Sequence, residues 1–386
     1  AISLFFCTPL GALFSWTTLG DKPFRFELYL LSDELLAADK LWGYVPSALG
    51  LALVPVALLA MERALGADPA PRELPRGART RPVLLAALAA LAASWLHPWQ
   101  GITLILIFLG LSAARRFRQP APLLVATIAA ALPLGYYYLL SHHDPAWQLA
   151  AHYEVIPRVS ALVLLAGLGP LALIAALGIR RPDGIVIEQA LLLWIGAALV
   201  TYFVNDSFAP HALQGLSLPL AVLAVRGWHR LRIAPVLGAV TVGLITIPGL
   251  AFVARKFIRT ANSSVLQYYL PQSDAQALDW LAHRAPPGGV LAPTPFAVIV
   301  PSQTGRAVWV GHGYWSRDYP ARARQVDRLF GGRLSPAAAR RFIASTGAAI
   351  LISDCRHRAD LTKPLRPMIS STQLFGCARV YVLRTG

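Results

Sequence analysis

Of the nine histidines in the chain, His97, His142, His143, His152 and His211 fall in segments nearly empty of lysine and arginine. Asp144, Glu154, Arg158, Asn205, Asp206 and Gln214 stand beside them. An imidazole changes protonation state near neutral pH, so it can accept a proton or, once charged, hold an anion. The plain alternative is loop composition, because a segment poor in arginine must be polar in some other way. A second group lies in 20–41, where Asp21, Glu27, Asp33, Glu34 and Asp39 follow one another closely. A carboxylate among them has the chemistry to take a proton from a hydroxyl nucleophile. The same stretch also reads as an interfacial helix with Phe24, Phe26, Leu28, Leu31 and Leu35 in a lipid boundary, and that structural reading is the favoured one.

His97 sits in the turn Trp95-Leu96-His97-Pro98-Trp99-Gln100. Pro98 suits the first position of a following helix, which leaves His97 placed either to hydrogen-bond a phosphate or to cap that helix. Adjacent His142, His143 and Asp144 make a poor metal set, since neighbouring residues seldom ligate one ion together and paired HxxxH spacing is missing. No metal site and no cofactor is expected, and a metal requirement is left unassigned. Walker A, dinucleotide-fingerprint, nucleophile-elbow and zinc-ligand patterns are all missing from the chain.

The elements that must position these residues are membrane helices. Residues are 56% hydrophobic and only 14% charged, against about 25% charged in soluble domains. Apolar runs able to cross a ~30 Å core fall at about 1–19, 42–61, 83–96, 99–114, 121–140, 160–179, 186–204, 211–225 and 233–253, or about nine spans. The net charge of +16 lies between these runs, which makes it a topology signal and excludes nucleic acid as a partner. Arg63 to Arg81, Arg115 to Arg118, Arg180 with Arg181, and Arg226 to Arg232 occupy one alternate set of loops. The histidine-bearing loops occupy the other. The positive-inside rule then puts the arginine loops in the cytoplasm and the histidines outside, and the lipid bilayer itself is the first partner. Segment 20–41, with Lys22, Arg25 and Lys40, fits least well. The chain opens at Ala1 inside an apolar run without a charged leader, so it reads as N-terminally incomplete.

Beyond the last run the composition turns ordinary. The expected organisation is a transmembrane helical domain over 1–255, a linker over 256–272 and an extracytoplasmic small α/β domain over 273–386. Ser273 is expected to cap a helix running to about Arg284. Strand-like runs at 289–292, 307–310, 348–353 and 379–383 alternate with helices at about 318–330 and 335–346. Cys355 follows one strand and Cys377 precedes another, so pairing those strands would bring the thiols within disulfide range. His312, Tyr314 and Trp315 follow a strand and either line a groove or serve as packing residues.

These pieces resemble the GT-C superfamily of polyprenyl-phosphate-sugar-dependent membrane glycosyltransferases. The likeness rests on Leu96-His97-Pro98, on the His211 to Leu220 segment with Gly215 and Pro219, and in the tail on Ala277 to Leu281, Ile299 to Pro301, Thr304 to Arg306 and Gly311-His312. It implies a bacterial plasma-membrane transferase that takes a sugar from a lipid-linked donor and delivers it to a glycan, lipid or protein acceptor of the cell envelope. Such enzymes carry an essential Asp or Glu in the first external loop. The resemblance makes Asp21, Glu27, Asp33 and Asp144 the catalytic candidates. It makes His97, His142, Arg158, His211 and Gln214 the donor-phosphate ligands by charge-assisted bonding, and His312, Tyr314 and Trp315 the acceptor groove. Two other readings compete: a transporter or flippase, which calls for mid-membrane ionisable groups of which only Glu188 comes near, and a non-catalytic envelope assembly protein.

Overall fold

A computed structural model describes residues 22–35, 44–66, 76–153, 158–179, 185–204, 207–231, 235–261, 269–357 and 359–384. The expected first span at 1–19 lies outside them, as do Asp21, Asp39, Glu154, Asn205 and Asp206. The chain divides into two compact units, Ala1–His142 with Val155–Ile258, and His143–Glu154 with Arg259–Gly386. The helix Pro145–Tyr153 therefore belongs with the C-terminal unit, a grouping that differs from an uninterrupted first domain over 1–255.

The first unit is helical throughout its described residues. Val45–Leu65, Pro120–His143 and Val186–Val204 are long and apolar enough to cross a bilayer. Ala161–Gly169 and Leu171–Gly178 would make a fourth span together, bent by 59°, at a Gly-Pro step where the proline has no N–H to donate. The apolar helices Thr80–Leu96 and Pro98–Ala114 are shorter. Leu132, Leu165 and Leu173 expose 62%, 67% and 73% of their surface, as do many neighbours of their kind. Such an apolar exterior would drive association in water but suits a lipid solvent.

Two expectations are corrected here. In the described part of segment 20–41, the helix Lys22–Leu35, Leu28, Leu31 and Leu35 are buried among Val163, Leu171, Ala175 and Leu216 and so meet other helices rather than a lipid boundary, while Phe26 stays exposed. The apolar run 211–225 is not one helix either. A short 3-10 turn, Ala209–Leu213, ends at Gly215, whose φ of 78° breaks the run before the helix Ser217–Arg230 begins.

Contacts sort the helix ends of this unit into two sets. At one end Arg230 donates to the carbonyls of Leu177 and Ile179, and Arg226 pairs with Glu188 at 3.2 Å. At the other, the Tyr137 hydroxyl donates to the Trp95 carbonyl, Arg158 donates to the Tyr202 and Phe203 carbonyls, and the rings of His97 and His211 lie 5.4 Å apart. The first set borders the Arg180–Arg181 and Arg226–Arg232 segments, and the second carries His97 and His211.

The C-terminal unit is built on a four-stranded sheet in the order β1-β2-β4-β3, with β1 Val290–Leu291, β2 Ile350–Ser353, β3 Ile369–Phe375 and β4 Ala378–Leu383. β1 runs parallel to β2, and β4 pairs antiparallel with both β2 and β3. Side chains alternate along each strand. Val290, Ile350, Ile352 and Val380 pack beneath the helix Gln272–His283, while Leu291, Leu351 and Tyr381 face the helices Tyr319–Phe330 and Pro336–Thr346. The run 307–310 supplies only the single bridge Val290 to Val308 instead of a strand, and β3 was not anticipated. Pro271, not Ser273, holds the cap position of the first helix. Ser273 packs instead against the hairpin turn, where a Cβ on Gly376 would come within 2.6 Å of its Oγ.

Cys377 lies in that β3–β4 turn and is bonded to Cys355 at the end of β2. Closing a loop of 22 residues is worth about 3 kcal/mol through the unfolded chain. Beside this link Asp274 and Asp354 are both fully buried. Asp274 accepts the Cys355 N–H at 3.0 Å, and Asp354 takes both the backbone N–H and the ring Nδ1 of His357. Burial first, and then the neighbouring Asp354, push the Asp274 carboxyl up to about 6, against the opposing Cys355 N–H and Arg356 charge. The folded state thus keeps a proton that the unfolded chain releases at lower pH. This contribution favours the fold below the unfolded value and is lost as pH rises through about 6. Asp274→Asn is expected to stabilise the full chain by on the order of 1–3 kcal/mol at pH 8 and by nothing at pH 4. Thermal unfolding of both proteins at the two pH values checks it, and an equal shift at both would show that charge is not the cause.

Candidate functional site

The strongest polar cluster in the first unit forms around Glu34. Its carboxylate is 3% exposed on the last turn of Lys22–Leu35, a position that needs partners because an uncompensated buried charge is costly. Two of its partners, Gln214 and His211, come from the turn just before Gly215. Gln214 Nε2 donates to Glu34 Oε2 at 2.5 Å, and His211 Nδ1 lies 3.1 Å from the same oxygen. The Ser217 hydroxyl donates to the Leu35 carbonyl at 3.0 Å and ties down the end of the Glu34 helix. Gly215 has a φ of 78°, a left-handed backbone that favours glycine, and a Cβ there would also press on the Leu51 side chain of Val45–Leu65.

Three aromatic groups enclose the His211 imidazole. Phe208 stacks on it at 3.6 Å, His97 lies 5.4 Å away and Trp99 meets it edge-on at 6.1 Å. His97 is the N-cap residue of Pro98–Ala114, with Pro98 in the first turn, yet its side chain makes no capping hydrogen bond and is 4% exposed. His211 retains 22% side-chain exposure, so the buried carboxylate reaches the surface through an imidazole. A carboxylate on Nδ1 fixes the proton there and leaves Nε2 as the acceptor. An imidazole is thereby placed between the buried carboxylate and the surface.

Other sequence candidates are placed differently. Glu27 accepts the Ser160 N–H at 2.8 Å, at the N-terminus of Ala161–Gly178, where a carboxylate compensates the helix dipole. Asp33 forms a 2.6 Å ion pair with Lys256. Asp144 accepts the N–H groups of Ala146 and Trp147 and so caps Pro145–Tyr153, in the other unit. Arg158 spends Nε and Nη2 on the carbonyls that end Val186–Val204, and His142 lies on Tyr138 with Nδ1 2.8 Å from its carbonyl. Of the five proposed phosphate ligands, His97, His211 and Gln214 converge while His142 and Arg158 are engaged elsewhere. Glu188, the nearest approach to a mid-membrane charge, pairs with Arg226 at a helix end.

Glu34 stood among the five candidate carboxylates of 20–41 but not among the residues chosen as catalytic. The available signal was its position three residues after Leu31 and next to Leu35, on the stripe begun at Leu28. A carboxylate on an apolar helix face demands a buried partner.

In the C-terminal unit, a pocket of about 450 Å³ is lined by Trp309, His312, Trp315, Arg317 and Arg322 among others, with Leu149 of Pro145–Tyr153 on its wall. His312 and Trp315 thus share a cavity. Tyr314 does not line it, but its N–H donates to His312 Nδ1 at 3.3 Å. No cluster of metal-ligating side chains occurs among the described residues. No protein-family model and no curated protein matches the chain.

Proposed function

We propose that this chain is a membrane-embedded glycosyltransferase of the GT-C kind. It moves a sugar from a polyprenyl-phosphate donor to a cell-envelope glycan, lipid or protein, with about nine spans and the C-terminal unit on the extracytoplasmic side. The observation that carries the reading is the buried Glu34 carboxylate joined to Gln214 and His211, beside His97. In the reaction the acceptor oxygen bonds to the sugar's anomeric carbon as the bond from that carbon to the phosphate oxygen breaks. The acceptor proton passes to the Glu34–His211 pair, and polyprenyl phosphate departs against His97. The contacts of Arg226 and Arg230 with the ends of other helices, apart from those that bring His97 to His211, support the orientation. Glu188, the nearest approach to a charge within the bilayer, sits in the first turn of Val186–Val204, at a helix end, and so lends a transporter reading little support.

Purified full-length protein in nanodiscs, given a panel of polyprenyl-phosphate sugars and envelope extract, is expected to release polyprenyl phosphate and label an acceptor, with His97→Ala abolishing transfer. Intact donor across the whole panel would overturn the reading.

A further inference from the structure

The C-terminal pocket carries chemistry that the transfer step does not use. Its volume of about 450 Å³ falls in the range of small-molecule sites, ~300–1,000 Å³. Two indoles line it: Trp315, which leaves 45% of its surface exposed, and Trp309. Broad exposed indole faces favour the C–H face of a sugar ring, because the aromatic quadrupole attracts polarised hydrogens.

Charge narrows the ligand further. Arg317, Arg322 and His312 line the pocket, and among the described residues no carboxylate does. Arg322 donates from Nη1 to the Trp309 carbonyl at 2.9 Å and lies 4.8 Å from the centre of that indole. Both partners are neutral, so they hold the guanidinium in place without cancelling its charge. Arg317 has only the loose 3.8 Å contact with Asp318, at the exposed rim. With its Nδ1 accepting the Tyr314 N–H, a neutral His312 carries its proton on Nε2 and adds a donor. Fixed donors of one sign beside an apolar platform recognise an anion attached to a ring.

We infer that this pocket binds an anionic saccharide, a pyranose bearing a carboxylate or a phosphate, with the ring on Trp315 and the anion at Arg322. The assignment of that saccharide as the acceptor end of the transfer rests on the function proposed above, whereas the binding itself rests on the pocket alone. Equilibrium titration of the full-length protein in nanodiscs with glucuronic acid, glucose 6-phosphate, glucose and inorganic phosphate tests it without any donor. Both anionic sugars are expected to bind at least about tenfold more tightly than glucose or phosphate. Trp315→Ala and Arg322→Gln should each weaken them by at least about tenfold. Trp315 is exposed, so its truncation tests the site even if the arginine change disturbs packing. Glucose binding as tightly as the anionic sugars, phosphate doing so alone, or indifference to both substitutions would each overturn the inference. Absence of transfer with selective binding intact would count against the transferase and leave the pocket standing; transfer without selective binding would do the reverse.

Discussion

Glu34→Gln is expected to lower sugar transfer by roughly 10²- to 10⁴-fold, the range over which a positioned acid–base group acts, while the protein folds as before. The amide keeps the shape of the carboxylate and retains an acceptor for Gln214 and His211. It loses the negative charge on which the proposed proton transfer depends. Glu34→Ala should differ, because the Gln214 and His211 donors then lose their shared acceptor, Oε2. Each buried donor so stranded costs about 1–3 kcal/mol, and that loss appears in thermal unfolding as well as in activity. Turnover and KM measured for both variants, with unfolding alongside, separate the two roles. A Glu34→Gln enzyme within about threefold of wild-type kcat would reduce Glu34 to a packing group.

How much of this site was legible from the chain depends on how far apart its parts lie. The division of loops into arginine-bearing and histidine-bearing sets is local, written between successive apolar runs, and the contacts of Arg230, Arg226 and Tyr137 keep to it. His97 and His211 stood out for the same reason, as polar groups set among apolar neighbours. Glu34 did not, because the stripe Leu28, Leu31, Leu35 describes a lipid-facing helix and a packed one equally well. What decides between them is Ala161–Gly178, far along the chain, where the space at Gly167 receives Leu31. Arg158 looked available for a phosphate because nothing near it in sequence reveals the carbonyls of Tyr202 and Phe203. β3 escaped notice because its Ser-Ser-Thr-Gln centre lacks an apolar alternation, and its register comes from pairing with β4.

The second large effect is expected far from any proton. Gly178 and Gly227 face each other where Ala161–Gly178 crosses Ser217–Arg230: a Cβ on Gly227 would lie 2.1 Å from the Ile174 carbonyl oxygen, and one on Gly178 would lie 1.8 Å from that of Leu223. The obstacles are backbone atoms, which no rotamer change can move aside. Arg230 locks the crossing by donating to the Leu177 and Ile179 carbonyls at 2.7 and 2.9 Å. Close backbone approach through small residues is the main source of helix association where lipid competes for apolar surface. Gly227→Ala should therefore cost about 1–3 kcal/mol or more, and Gly227→Leu should prevent assembly. Gly196→Ala is the matched control, since a Cβ there meets nothing within 4 Å. The helix that Gly227 anchors begins three residues after Gln214, so forcing the helices apart also draws His211 and Gln214 away from Glu34. A fall in unfolding temperature together with a loss of transfer in Gly227→Ala, neither being seen in Gly196→Ala, is the expected result. Unchanged unfolding in Gly227→Ala would mean that this crossing does not hold the site together.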